Sequence, residues 1–389
     1  MPSIVITGAA RTAIGTARKG TLAQTPAEKL AATVVRAAVE RSGFAPADID
    51  DVVLAESLYG GGAVARHAAV EVGLTRAAGM ALNRHCAGGL TAVGVAAGAI
   101  LAGMENVIVA GGVNSSSMSP VMQQLDPATG DMKRWWPLTH PATPDAPPLD
   151  MSITVGWNTA KEVGLTRAEV DAWALRSHQR AIAGIDEGRF VDEIVPITVK
   201  NAEGKEIEFK VDEHPRRGTT MEKLASLAPL HPEIEGFSMT AGNASGGNDA
   251  AAAMVVSTED NAKGRGAKIL AKVHGWTAIG VEPARTGLAV APVIEKLLAR
   301  THRRKEDVKL YEINEAFASV PLAACRILGL DEETVNISGS GCSLGHPIGA
   351  SGARMIITLA HDLRRRGGGL GIAAMCAGGG QAGAVLIEV

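Results

Sequence analysis

The sequence predicts an α/β protein made of two similar strand–helix–strand halves with a segment of different character set between them. Three observations carry this reading. Apolar strands alternate with segments of helical period, the order of elements in the first third returns near the end of the chain, and the middle is rich in Pro and aromatic residues. At 389 residues the chain exceeds what one compact core normally organises, so two or three domains, or one duplicated fold, are expected.

In chain order, Ser3 to Thr7 alternates apolar and polar residues and runs into Gly8-Ala-Ala, a strand followed by a turn. Ala27 to Ser42 sets Leu30, Val34, Val35, Ala38 and Val39 on one helix face and ends at Gly43. Asp48 to Ala55 reads as an apolar strand. Cys86 stands between an apolar stretch and the small-residue helix Leu90 to Leu101, which leads to the strand Val107 to Ala110 and Gly111-Gly112. The same order then returns. Pro292 to Arg300 is helical in pattern, and Asp307 to Glu315 (DVKLYEINE) echoes Asp48 to Glu56 (DIDDVVLAE) at an offset of 259 residues. His346 leads through a helix to the strand Gly371 to Met375 and Gly378-Gly379-Gly380. Any two strand–helix–strand units look alike, but the shared order favours an internal duplication.

Ser119 to Gly236 reads as an insertion. Thr166-Arg-Ala-Glu169 has capping-box form ahead of a helix marked by Val170, Trp173, Ala174 and Ala181. Ile197 to Val211 alternates around Asn201-Ala-Glu-Gly204 as a hairpin would. The expected division is therefore an N-terminal half over 1–118 completed by about 237–258, an inserted domain over 119–236, and a C-terminal half over 259–389.

Bulk properties narrow the function. With 38 basic and 41 acidic residues, no charge excess draws the molecule to nucleic acid or an anionic membrane, and an anionic ligand must be caught locally. The composition joins 46 Gly to only 3% aromatic residues, which lets backbones approach one another and ligands closely. Apolar runs such as Val93 to Leu101 fall far short of the roughly 20 residues a membrane span needs, and the first residues lack the basic start of a signal peptide. The expectation is a soluble cytoplasmic protein. Cys86, Cys325, Cys342 and Cys376 show neither CxxC spacing nor paired His, which argues against a zinc site or a disulfide scaffold. No GxGxxG follows a strand, so no metal, flavin or nicotinamide site is expected.

Four segments carry candidate chemistry. Cys86, in Asn83-Arg-His-Cys-Ala-Gly-Gly89, sits at a helix N-terminus, where the macrodipole stabilises a thiolate; the alternative is a buried structural cysteine. His346, in Gly345-His-Pro-Ile-Gly349, precedes a Pro suited to the first helical position and offers an imidazole to take a thiol proton; it is equally a cap residue. Cys376 opens Cys-Ala-Gly-Gly-Gly380, a turn whose amides can face an oxyanion, and as a second thiol it can serve as acid or base; otherwise it is a strand-end cysteine. Asn314, in Asn-Glu-Ala-Phe317, ends a strand, where α/β sheets place ligands, or is an ordinary turn former.

Together these segments resemble the thiolase family over nearly the whole chain. Arg11-Thr-Ala-Ile-Gly15, Ala110-Gly-Gly112, Thr219-Thr-Met-Glu-Lys-Leu-Ala225 and Thr240-Ala-Gly-Asn-Ala-Ser-Gly246 extend the match. The resemblance implies a duplicated, five-layered α/β/α/β/α thiolase fold with an inserted loop domain covering CoA, assembled as a homodimer or homotetramer. It implies that Cys86 is the acylated nucleophile, His346 its base, and Cys376 the acid or base at the α-carbon. It further implies that Asn314, through a water, and His346 hold the enolate oxygen, while the amides of Cys86 and Gly378 hold the thioester oxygen. The family's CoA pocket maps onto Arg216, Ala241, Ala244, Ser245, Ala316 and Phe317, with CoA and acyl-CoA as substrates and no retained cofactor. The basic-aromatic cluster Lys133-Arg-Trp-Trp136 reads as surface with a packed Trp.

Several positions depart from the family pattern. Asn114 stands where Glu is usual, so local packing must differ. Asp150 and Ser152 flank Met151 where His and Gly are usual in short-chain biosynthetic members, which puts an acetoacetyl-specific pocket in doubt. Val290 replaces part of a Gly-Pro turn, Ser338 and Ser340 replace Asn and Gly, and Ala382 replaces Gly. The implied activity is acyl-CoA C-acyltransfer, by thiolysis of a 3-oxoacyl-CoA or by condensation of two acyl-CoA molecules. Rival readings are a ketoacyl-synthase-type condensing enzyme, against which Cys376 argues, an acyl-CoA- or lipid-binding protein without turnover, and a dithiol redox protein using Cys86 and Cys376.

Overall fold

The computed structural model describes residues 2–57, 59, 61–200 and 204–389. Nine long strands organise it: β1 (Ile4–Arg11), β2 (Asp51–Ala55), β3 (Ala78–Leu82), β4 (Val107–Ser115), β5 (Asn248–Thr258), β6 (Ala271–Gly280), β7 (Val308–Ile313), β8 (Leu370–Ala377) and β9 (Gln381–Glu388). The main helices are α1 (Ala27–Ser42), α2 (Val64–Glu71), α3 (Gly88–Leu101), α4 (Arg167–Asp186), α5 (Val290–Thr301), α6 (Ser319–Leu328) and α7 (Ile348–Arg365).

The duplication is visible in the strand order. The first half runs β3-β2-β4-β5-β1 and the second β7-β8-β9-β6. β2 and β4 are parallel, as are β7 and β8, and the other pairings within each half are antiparallel apart from the parallel β2–β3. The echo that joins Asp48–Glu56 to Asp307–Glu315 marks equivalent places, each with a short 3-10 turn (Pro46–Asp48, Lys305–Asp307) before its strand. The halves meet where β1 pairs antiparallel with β6, Ile4 opposite Val273 and Ile6 opposite Ala271, so the hydrogen-bond ladder passes from one half to the other.

Alternation along the strands assigns their faces. Val5, Val107 and Val109 face the outer layer of the first half, against α1 and α2, while Ile4, Ile6, Ile108 and Ala110 face inward. In the second half Ile372 and Ala374 face the outer layer with α5 and α6, whereas Ala373 and Met375 face inward. β1, β4, β5, β8 and β9 are buried along almost their whole length, as expected of strands covered on both faces. Between the sheets lie α3 and α7, and both touch strands of both halves. The result is five layers, α/β/α/β/α. No helix of the described residues is long and apolar enough to cross a membrane.

α3 and α7 approach closely because glycines face each other. A Cβ on Gly89 would lie 2.6 Å from the Ala353 nitrogen, and one on Gly352 would lie 2.4 Å from the Leu90 nitrogen. Side chains there would push apart the two helices that follow Cys86 and His346.

The chain between β4 and β5 holds two small hairpins (Gln123–Leu125 with Met132–Arg134, and Ile197–Lys200 with Glu206–Phe209), a wide helical turn at Ser152–Trp157, and α4. The expected turn residues of the second hairpin, 201–203, lie outside the described residues. Thr166 caps α4 with Glu169 as predicted. Arg11 fastens this region to β1: its Nε donates to Glu193 at 2.7 Å and its terminal nitrogens donate to Asp212 at 2.8 and 2.9 Å, all buried. A buried cation with two acids on it is held charged.

The departures in sequence find partners. Asn114 is buried and donates to the Asn248 carbonyl at 2.8 Å and to Ser116 at 3.0 Å, a neutral arrangement in place of a carboxylate. Ser340 donates to Glu312 at 2.8 Å and accepts from Arg354, and Ser338 donates to Asp362 at 2.8 Å. Nothing in the structure explains Val290 or Ala382.

Candidate active site

Cys86 lies in a single 3-10 turn, His85–Ala87, immediately before α3. His85 takes a left-handed φ of 45°, a conformation that costs a residue with a Cβ and persists only when neighbours enforce it. They do: the His85 amide donates to Asn83 Oδ1 at 2.8 Å, its carbonyl accepts from Ser57 at 2.8 Å, and Asn83 Nδ2 donates to the Ser57 carbonyl. The bend presents the half-buried Cys86 to a cavity of about 700 Å³.

Gly378 also lines this cavity. It begins the β8–β9 turn, where Gly379 and Gly380 have φ of 83° and 74° that suit glycine. The turn is pinned from behind, since the Gly380 amide donates to Thr286 at 3.0 Å and Gln381 Nε2 donates to the Gly378 carbonyl. The turn amides are therefore not all free, as the sequence had suggested. The backbone amides of Gly378 and of Cys86 itself both favour the charged form of the Cys86 sulfur.

Burial opposes the thiolate expected at a helix N-terminus: it pushes the Cys86 thiol up to about 11, although the backbone amides of Gly378 and Cys86 pull the other way. Cys376, buried in β8, is raised further by burial and then by the neighbouring Cys86.

His346 is buried just before α7, with Pro347 as the residue flanking the helix rather than its first position. Its backbone amide donates to Asn248 Oδ1 at 2.9 Å. Nδ1 meets Ser351 Oγ at 2.7 Å, and that hydroxyl donates its one proton to the Pro347 carbonyl at 3.0 Å. The hydroxyl must then accept from Nδ1–H, which leaves Nε2 as the unprotonated, accepting nitrogen. Nε2 faces Asn314 Nδ2 at 3.4 Å. Burial, then the charge of Arg354, lowers the imidazole to about 3, so it is a neutral base throughout the physiological range.

Asn314 follows β7, its amide bonded to the Ala374 carbonyl of β8. Its side-chain Oδ1 is buried without a hydrogen-bond partner among the described residues. The adjacent Glu315 is saturated, accepting from Trp173, Ser177, Asn336 and the Cys342 amide, and so anchors the strand end rather than offering a free acid. Arg354 of α7 meets Glu312 of β7 at 2.5 Å, with both buried. This pair ties the helix that follows His346 to the strand that precedes Asn314.

The structure thus gathers Cys86, Gly378 and Cys376 in one place, and His346 with Asn314 in another. Ile348, two residues after His346, lines the cavity at Cys86 and links the two groups. Ala244 bridges to Phe317, and the Ser245 amide donates to the Ala316 carbonyl at 3.0 Å, beside Asn314. Ala241 and Arg216 are exposed; the Arg216 amide donates to His178. None of these six residues lines the cavity. Its far wall is instead Arg134 to Thr139 with Pro148, Leu149 and Met151. Trp135 and Trp136, taken from sequence as surface with a packed Trp, stand on this wall. Two adjacent Trp in a chain with only five were the available signal. Among the described residues, no group of three His, Cys, Asp or Glu could hold a metal.

Comparison with known proteins gives a consistent result. The thiolase N-terminal domain family matches residues 4–260 and the thiolase C-terminal domain family residues 267–389. The acetyl-CoA acetyltransferase of Pseudomonas aeruginosa is 41% identical over 388 residues, covering 98% of each chain. That of Escherichia coli is 39% identical, covering 100% of this chain and 99% of its own. The crystal structure of the Bacillus anthracis acetyl-CoA acetyltransferase superposes with a TM-score of 0.90 at 40% identity, and that of human mitochondrial 3-ketoacyl-CoA thiolase with 0.90 at 32%; each comparison covers 100% of this chain and 99% of the other.

Proposed function

The chain belongs to the thiolase family, and from that premise we propose how its site works as an acyl-CoA C-acyltransferase that cleaves 3-oxoacyl-CoA with CoA or condenses two acyl-CoA molecules. The observation that carries the reading is that Cys86 and Gly378 line one cavity, with Cys376 close enough for its thiol to be raised by Cys86.

In the cleavage direction the Cys86 sulfur attacks the 3-oxo carbon as its proton passes to His346 Nε2. Because the resting thiol and imidazole are both neutral, proton transfer accompanies attack rather than preceding it. Breaking the C2–C3 bond leaves the shortened acyl group on Cys86 and an acetyl-CoA enolate, which Cys376, a thiol because of its burial, protonates at carbon. Free CoA then attacks the acyl-enzyme as its thiol proton passes to the Cys376 thiolate, and the departing Cys86 sulfur recovers its proton from the His346 imidazolium, so that all three groups return to their resting forms. The amides of Cys86 and Gly378 serve the acyl oxygen. His346 and Asn314, whose Oδ1 can fix a water, serve the enolate oxygen; losing one such preorganised donor typically costs about 3–4 kcal/mol.

In this reading CoA and acyl-CoA are substrates, held along Ala244, Ser245, Ala316 and Phe317, with Ala241 and the exposed Arg216 further out toward the nucleotide. Residues 119–236 form a domain over the bound CoA. A cytoplasmic location, in keeping with the bacterial relatives, and assembly as a homodimer or homotetramer belong to the same proposal.

Purified protein mixed with a 3-oxoacyl-CoA and CoA should lose the oxoacyl-CoA absorbance, and Cys86→Ala should abolish this. Mass spectrometry should find an acyl group on Cys86. Tight binding of the ester with neither turnover nor acylation would refute the proposal in favour of a binding protein, and a Cys86–Cys376 disulfide without acylation would favour the redox reading.

A further inference from the structure

We infer that the cavity under Arg134–Thr139 receives the acyl chain, and that the enzyme is built for 3-oxoacyl-CoA esters carrying a bulky apolar group rather than for acetoacetyl-CoA. The inference rests on the function proposed above and names the substrate class of that site.

Position comes first. Cys86 and Gly378 line the cavity together with His85 and Ile348. Thr139 lies against the β8–β9 turn there, its Cγ2 3.3 Å from where a Cβ on Gly378 would sit. From Thr139 the wall runs through Leu138 and Trp136 to Trp135 and the hairpin that ends at Arg134. The segments assigned to CoA, at Ala244–Ser245 and Ala316–Phe317, contribute nothing to the lining. A group bonded to the Cys86 sulfur can therefore extend into this space without crossing the path of the thioester.

Size comes second. A methyl group is about as large as a water molecule, whose share of liquid volume is roughly 30 Å³. The terminal methyl of acetoacetyl-CoA would leave nearly all of the 700 Å³ without contacts, whereas a seven-carbon chain or a ring fills a substantial part. Cavities of roughly 300–1,000 Å³ normally enclose ligands of much more than two carbons.

Chemistry comes third. The walls are Trp135, Trp136, Leu138, Leu149, Met151 and Ile348, with few polar atoms. The acid of this stretch, Asp150, is turned away: Oδ2 meets His231 Nε2 at 2.8 Å, and Oδ1 accepts from the Ser152 hydroxyl at 2.6 Å and amide at 3.0 Å. Residues 148, 149 and 151 are thereby presented to the cavity without a carboxylate between them. Arg134, exposed at the hairpin end, is the cation at the outer margin.

The test compares kcat/KM for thiolysis of acetoacetyl-CoA, 3-oxodecanoyl-CoA, benzoylacetyl-CoA and 3-oxoadipyl-CoA. Each methylene moved from water to an apolar wall is worth about fourfold, so six more methylenes, even incompletely covered, should favour the decanoyl ester by at least about a hundredfold. Preference for either the decanoyl or the benzoyl ester supports the inference and tells a chain from a ring. Acetoacetyl-CoA as the best substrate overturns it while leaving the thiolase reading intact. Preference for the adipyl ester also overturns it, by assigning Arg134 a carboxylate. Absence of turnover with all four removes the functional reading and the inference together. Leu149→Trp, at a position 65% exposed and so tolerant of change, should cut the decanoyl-to-acetoacetyl ratio at least about tenfold, and Leu138→Trp, 56% exposed, provides a second filling variant. An unchanged ratio in both, with unchanged denaturation midpoints, refutes the assignment.

Discussion

Replacing Gly352 by alanine tests whether a glycine contact between two central helices sets the distance from Cys86 to His346. The added methyl would stand 2.4 Å from the Leu90 nitrogen and 3.0 Å from the Gly89 carbonyl carbon, where ordinary contact begins at 3.4 Å. The obstructing atoms are backbone, so no rotamer change relieves the clash and α3 and α7 must separate by about 1 Å. They lie between two sheets and cannot part without disturbing those contacts; overpacking of this kind typically costs about 1–3 kcal/mol. Cys86 lies two residues before the start of α3 and His346 two residues before the start of α7, so the displacement passes directly to both side chains. A misplacement of about 1 Å can cost about a hundredfold in rate. The assay is kcat for thiolysis at saturating CoA, measured beside the guanidinium midpoint. The expected result is a loss of about a hundredfold in kcat with a destabilisation of about 1–3 kcal/mol, and Gly89→Ala, with its Cβ 2.6 Å from the Ala353 nitrogen, should behave alike. A variant with parental kcat and midpoint would refute the argument.

Three further outcomes are expected. Because the Cys86 thiol lies near 11 and His346 near 3, carbamidomethylation of Cys86, followed by peptide mass spectrometry, should accelerate about tenfold per pH unit through neutrality; a plateau there would mean a preformed thiolate–imidazolium pair. Ser351→Ala removes the acceptor of His346 Nδ1–H and should lower kcat about tenfold with little change in KM; parental kcat would show that the tautomer is fixed otherwise. Arg354→Leu leaves Glu312 buried without its cation and should cost about 3–5 kcal/mol. Burial, against the pull of Arg354, raises the Glu312 carboxyl from its ordinary 4.5 to about 7. The folded state thus keeps a proton that the unfolded state has lost, and this group's contribution is greatest below about 4.5 and falls as pH rises through about 7. Urea unfolding should accordingly show a larger deficit for the variant at pH 8 than at pH 5.5, and equal deficits would contradict the assignment.

Much of the fold was legible because its signals are local. Period and turn chemistry marked α1, α3, α5, α7 and the Thr166 cap within a few residues, since each depends on side chains adjacent along the chain, whereas Gly8-Ala-Ala, expected as a turn, continues β1 to Arg11 because pairing with β5 carries the strand on. The order of those elements, repeated at an offset of 259 residues, disclosed the duplication before any contact was known. The sequence also supplied each candidate group and, through the thiolase motifs, the reaction class. Tertiary structure decided what those groups meet. Arg11 finds Glu193 and Asp212 at separations of 182 and 201 residues, and no local pattern encodes such a pairing. Trp135 and Trp136 became cavity wall only when their segment folded over Cys86. Burial works against the thiolate expected from sequence, because a helix terminus acts over one turn, whereas desolvation depends on everything the rest of the chain brings to cover the sulfur.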